Sequence, residues 1–204
     1  MTGDIGTSRS RLIAEQKLRQ WTEGKSLVDA RISIFYAIRD IPYAVVPELN
    51  NYRNYMDILV FNRGSCTPKH LLLGYMFQRL GLDIFYAVYP FKWSDFAALY
   101  EPELQQLAAA MPICHHLVCK LDLDSRLVLV DATIDTSLGK LGLPVNLTWD
   151  GCSDTSLAVI PCGEEMLYHP SEAELMVPRV LSETEHKFFV KLNRFLDQVR
   201  YNSH

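Results

Sequence analysis

The chain has 204 residues, 49% apolar and 22% charged, with 20 Lys and Arg against 24 Asp and Glu for a formal charge of -4. These values exclude a fibrous or wholly disordered polypeptide, and without a basic block to follow a phosphate backbone they argue against nucleic acid as a partner. No apolar run approaches the roughly 18 to 20 residues that cross a bilayer, and Met1-Thr2-Gly3-Asp4 lacks the basic and apolar regions of a signal peptide, so a soluble, cytoplasmic protein with no membrane partner is expected.

The first ten residues, Met1 to Ser10, are small and polar and read as a loose end. Ser26 is an N-cap candidate ahead of Leu27, Ala30, Ile34, Ala37 and Ile38 at helical spacing, and this helix ends near Asp40, before Pro42. Pro47 to Gly64 is polar and tyrosine-rich, without a clear period until Ile58-Leu59-Val60-Phe61, and is expected to be mostly loop. Ser65 can cap a helix over Thr67 to Leu80, with Pro68 in a first turn that needs no N–H there, an apolar stripe of Leu71, Leu72, Tyr75, Met76 and Leu80, and Gly81 as its stop. Asp83 to Tyr89 reads as a buried strand and Ser94 to Ala110 as a helix. Ile113 to Leu121 and Arg126 to Val130 form a predicted hairpin around Asp122-Leu123-Asp124-Ser125. Pro144, Pro161 and Pro170 break up the stretch after Asp135, and Ser182 to Tyr201 closes the chain as a helix with Phe188, Phe189, Leu192, Phe195, Leu196 and Val199 on its apolar side. Helices first and strands later indicate an α+β fold in a single domain over residues 1–204.

Five cysteines without a C-x-x-C pair support neither a disulfide framework nor a zinc ribbon. Each is core filler or chemistry. Cys66 stands at the start of a predicted helix, after Gly64, where free N–H groups and the positive end of the helix dipole favour a thiolate. The alternative is a buried cysteine acting as a small hydrophobe. A thiolate needs a base, and the hairpin offers His115 and His116 on one strand and Asp131 at the end of the other. With a four-residue loop His116 stands directly opposite Asp131; with a two-residue loop at Asp124-Ser125, Val118 does, and His116 is a diagonal neighbour on the same face. His115 points the other way in either case.

Gly64-Ser65-Cys66-Thr67, the leucine-rich helix after it and Leu80-Gly81-Leu82 resemble the nucleophile segment of transglutaminase-like proteins. His116-Leu117-Val118 and Leu127-Val128-Leu129-Val130-Asp131-Ala132-Thr133 are similar to the histidine strand and aspartate strand of that superfamily, and Ile38-Arg39-Asp40-Ile41-Pro42-Tyr43 to the turn before its cysteine. The match covers about Ala30 to Asp135, with 136–204 as a family-specific extension, and is that of a small prokaryotic-type member. It implies a papain-like core, the nucleophile helix packed on an antiparallel β-sheet, and a catalytic triad of Cys66, His116 and Asp131 acting on a peptide or amide-bearing substrate. Asp131-Ala132-Thr133 departs from the usual D-P-T, and Leu117-Val118 from the common A-W, which bears on the pocket wall and not on the triad.

The implied reaction is acyl transfer, with hydrolysis preferred over transamidation because the chain is small. The Cys66 N–H is the expected oxyanion donor, with a second near Phe61 to Arg63. His70 and the run Cys114-His115-His116-x-x-Cys119 are rich in ligand types, but strand alternation splits the run between faces, and calcium-loop spacing is missing, so no metal and no cofactor are expected. Among the aromatics Phe85, Tyr86, Tyr89, Phe91 and Trp93, Trp93 is the one kept as a substrate-groove residue. Asp135 to Pro170 is read as a cover over the site, and a partner-binding scaffold without activity is the competing reading.

Overall fold

The computed structural model describes residues 3–173 and 180–201. Its first element, α1 (Gly3–Thr22), already departs from expectation: the segment read as a loose end is helical from Gly3, and Ser10, Ala14 and Leu18 are buried. Small residues at Ser10 and Ala14 permit close packing, which composition alone reads as looseness. Helix α2 (Leu27–Arg39) begins where Ser26 caps it, the serine hydroxyl accepting from the Asp29 N–H. It buries Ala30, Ile34, Phe35 and Ile38.

From Pro47 to Asp57 the chain makes two short 3-10 turns, and Ile58–Phe61 then closes as a single helical turn, α3, where mostly loop was expected. Gly64 comes next. Its carbonyl accepts from Ala44 N–H and its N–H donates to the Pro42 carbonyl, so residues 42–44 run beside it like a parallel strand. A Cβ on Gly64 would lie 2.8 Å from Ile58 Cγ2, so only glycine fits this approach. Helix α4 (Cys66–Arg79) starts two residues later and buries Leu71, Leu72, Leu73, Met76 and Phe77.

A four-stranded antiparallel sheet receives α4, with strands β1 (Ile84–Phe91), β2 (Cys114–Leu123), β3 (Arg126–Val130) and β4 (Met166–Tyr168) in the order β3-β2-β1-β4. The β2–β3 turn takes the tighter of the two alternatives: Leu123 pairs with Arg126, and Asp124 and Ser125 both have positive φ, 54° and 69°, as a two-residue hairpin turn requires. Between β1 and β2 the expected single helix over Ser94 to Ala110 is split into a 3-10 stretch, Trp93–Leu99, and α5 (Pro102–Ala109). Pro102 is the cause, because it forces Glu101 into extended backbone. Strand β4 escaped the sequence reading, three residues being too few to show alternation. A helical turn, α6 (Pro170–Ala173), lies beyond it, and α7 (Glu183–Tyr201) ends the described chain.

Besides a small apolar cluster of Ala87, Tyr89 and Val118 on the sheet, two large ones result. One lies between α2, α4 and the sheet, where Phe35, Phe77, Val128 and Val130 meet Trp149 from the loop after β3. The other gathers Trp93, Tyr100, Leu104 and Ile134 under Phe188, Phe189, Leu192 and Leu196 of α7. Among the described residues no helix is long and apolar enough to cross a membrane.

Candidate active site

Cys66 is the first residue of α4, and the residue before it prepares the position. Ser65 occupies the N-cap but makes no side-chain cap; its hydroxyl instead donates to Asn50 Oδ1 at 2.5 Å. The first-turn N–H groups therefore keep the capacity that a capping serine would have used. The Cys66 thiol is half-buried.

His116 reaches the thiol from β2 and Asp131 from the residue after β3. Val118 is the residue that would face Asp131 in the ladder, as Cys119 pairs with Val130, so His116 is the diagonal neighbour on the shared face. The side chains close that gap: His116 Nε2 donates to Asp131 Oδ2 at 2.8 Å. Its other nitrogen, Nδ1, is thereby left for the thiol, on which His116 and the Leu117 N–H act.

These contacts set the charges. Burial disfavours the His116 imidazolium, but the Asp131 carboxylate and the Cys66 sulfur outweigh it and raise the ring to about 10. Burial likewise pushes the Cys66 thiol up, and the His116 hydrogen bond, its positive charge and the Leu117 N–H pull it below the ordinary thiol value. Burial would raise Asp131 too; His116 holds its carboxyl well below the usual carboxylate range. The arrangement favours a thiolate on Cys66 paired with an imidazolium that Asp131 anchors.

Asp131 is itself fixed from several directions. Its Oδ1 accepts from Thr133 N–H at 2.9 Å and its Oδ2 also from Ala158 N–H at 2.8 Å. Its N–H donates to Thr155 Oγ1 and its carbonyl accepts from Asn146 Nδ2. The segment expected to cover the site thus wraps the back of the aspartate, while Leu141, Leu143 and Val159 from the same region reach the cavity in front.

Two buried groups were not assigned these roles from the sequence. His70, one turn after Cys66, accepts from Ala132 N–H through Nε2 and so carries its proton on Nδ1, which donates to the Cys66 carbonyl, both at 2.9 Å. Burial is the main reason its ring sits at about 4, the nearby Asp131 charge offsetting only part of that. It is a neutral strut with both nitrogens in use. Lys69 is fully buried and donates to the carbonyls of Arg39, Ile41 and Thr133 at 2.6 to 2.9 Å, tying the end of α2 and the segment after Asp131 to α4. The one legible signal was their place in the turn after the cysteine.

Of the remaining candidates, Trp93 lies in the wall of a cavity of about 730 Å³ that opens onto Cys66 and His116. His115, exposed, stands at its rim. The second oxyanion donor expected near Phe61 to Arg63 is not found there: Arg63 holds Asp197 at 3.1 Å, Phe61 is exposed, and neither residue lines the cavity, because α3 turns that segment toward α7. Asn50 lines it instead. Among the described residues no cluster suits a metal ion, and Cys152 and Cys162 are free and exposed. No family model matches the chain, and neither does any curated protein.

Proposed function

We propose that this protein is a transglutaminase-like cysteine enzyme with a papain-like core, carrying out acyl transfer through Cys66, His116 and Asp131, with water as the acceptor and a peptide or amide bond as the one cleaved. The observation that carries this reading is the buried His116–Asp131 bond of 2.8 Å beside a thiol at a helix start. The Cys66 thiolate adds to the carbonyl carbon, forming a C–S bond. The oxyanion takes the Cys66 N–H, and the amide end of Asn50, whose Oδ1 is oriented by Ser65, supplies the second donor. His116 gives its Nδ1 proton to the leaving nitrogen as the C–N bond breaks. Water then returns a proton to His116, adds to the thioester and releases the acid and the thiolate.

The test needs no substrate. Iodoacetamide labelling of each cysteine, with peptide mass mapping across pH, has the exposed Cys152 and Cys162 as internal references. Cys66 is expected to label fast below pH 7, with His116→Ala slowing it by roughly 10²-fold or more and His115→Ala leaving it unchanged. Labelling of Cys66 no faster than Cys152, indifferent to either histidine, would replace the enzyme by the scaffold reading.

A further inference from the structure

We infer that the acyl group this site accepts is a long, mostly hydrocarbon chain, bound in the cavity between the Trp93–Leu99 segment and α7. This rests on the acyl-transfer reading and names its substrate class.

The cavity of about 730 Å³ falls within the range of small-molecule sites, and its character is set by its walls. Phe91, Trp93, Phe96, Ile134, Phe189 and Leu192 face it, and no Lys, Arg or Asp is among the described residues that do. The one carboxylate, Glu172, is exposed at the rim and accepts from His169 N–H. A site built for polar or charged side chains would bring fixed counter-charges inside; a hydrocarbon chain needs none. The aromatic rings on this wall pack mainly on each other, Trp93 against Phe91 at 5.2 Å and against Phe188 at 5.1 Å between centroids, so they frame the space without filling it. Apolar space left unfilled along a packed cluster costs stability, and a hydrocarbon chain would fill it.

Trp93 Nε1 and Thr133 Oγ1 have no hydrogen-bond partner among the described residues, but both atoms are closed off from solvent, so neither presents a polar contact to the cavity. In the reaction the Cys66–acyl bond forms, the bond from the acyl carbon to its leaving nitrogen, oxygen or sulfur breaks with the His116 proton, and water releases the free acid.

Binding and chemistry are separable in the test. N-methyl alkanamides from two to ten carbons are titrated calorimetrically into the full-length Cys66→Ala protein, and p-nitrophenyl acetate and octanoate are reacted with wild type under mass detection of the Cys66 adduct. Affinity should rise about fourfold per added methylene up to a limiting length. Leu192→Phe, which narrows the cavity, should shorten that limit; circular dichroism checks that it folds, and the Cys66→Ala series stands without it. Affinity independent of chain length overturns the inference. Equal acylation by acetate and octanoate overturns it while acyl transfer stands, and amide binding that lengthens with the chain while neither ester acylates Cys66 upholds the chain site and removes the enzyme reading.

Discussion

His70 and His116 are both buried, their ring centres lie 6.2 Å apart, and each has Nε2 near Asp131, at 3.6 Å for His70 and 2.8 Å for His116. One ring is nevertheless held down at about 4 and the other raised to about 10. Burial penalises both charges, so it cannot be what separates them. His70 Nε2 is used to accept the Ala132 N–H, and a proton placed there would turn that bond into a clash of donors. His116 Nε2 donates to the carboxylate, and its other nitrogen has the thiol to share a charge with. The side of Asp131 facing His70 is scaffold, and the side facing His116 is electrostatics.

The sharpest way to break that contrast is Asp131→Asn. An amide keeps the shape but cannot hold the His116 tautomer, and the corresponding change in serine-protease triads costs about 10⁴-fold in turnover. Cys66 labelling below pH 7 should fall toward that of an ordinary thiol. If Asp131→Asn leaves the labelling rate and its pH profile intact, the carboxylate does not govern the pair.

The second largest effect lies on the other side. His70→Ala removes a fully buried ring and strands the Ala132 N–H and the Cys66 carbonyl, which should cost about 2–5 kcal/mol of stability, read by urea denaturation. The folded fraction should still label Cys66 at the wild-type rate. A stable His70→Ala protein with a slow thiol would show that His70 belongs to the charge system, and the division between scaffold and electrostatics would fail.

The hairpin that joins His116 to Asp131 was legible because strand alternation fixes faces whichever loop closes it, and the cysteine helix because Pro68, the leucine stripe and Gly81 agree. Other features were hidden for definite reasons. Lys69 sits on an apolar helix face and looks like an exposed lysine until Thr133, 64 residues away, is folded over it. Arg200 and Asn193 look like the solvent side of α7, yet Arg200 donates to the Tyr43 carbonyl and Asp135, and Asn193 pairs with both backbone groups of Val45. Such stitches have no period. The hollow was equally invisible, since filled and unfilled apolar clusters use the same residues.

The smallest expected effect is a cancellation in the dependence of stability on pH. His116 is raised to about 10 in the folded state from about 6.5 unfolded, so its stabilisation is complete below about pH 6.5 and is lost as pH rises toward 10. Lys69 moves oppositely: burial lowers it to about 7, opposed by Asp135, Asp131 and Asp40, against about 10.4 unfolded. The unfolded chain then holds the extra proton, and stability rises with pH across that window. Cys66, lowered in the folded state, adds a rising contribution only until about pH 8.5, where the unfolded thiol also ionises. Between about pH 7 and 8.5 the His116 and Lys69 contributions oppose and cancel each other. Above about pH 8.5 the buried Cys119, whose thiol burial pushes well up, adds a falling contribution of its own as the unfolded thiol ionises. His116→Gln removes the falling half, and the slope between about pH 7 and 8.5 should become about +1.4 kcal/mol per pH unit in urea midpoints converted to free energy. A flat profile in His116→Gln would mean that Lys69 keeps its proton while buried. Three carbonyl acceptors, one for each N–H of an ammonium, would then be what holds it there, and the strut behind the thiol would carry a permanent charge.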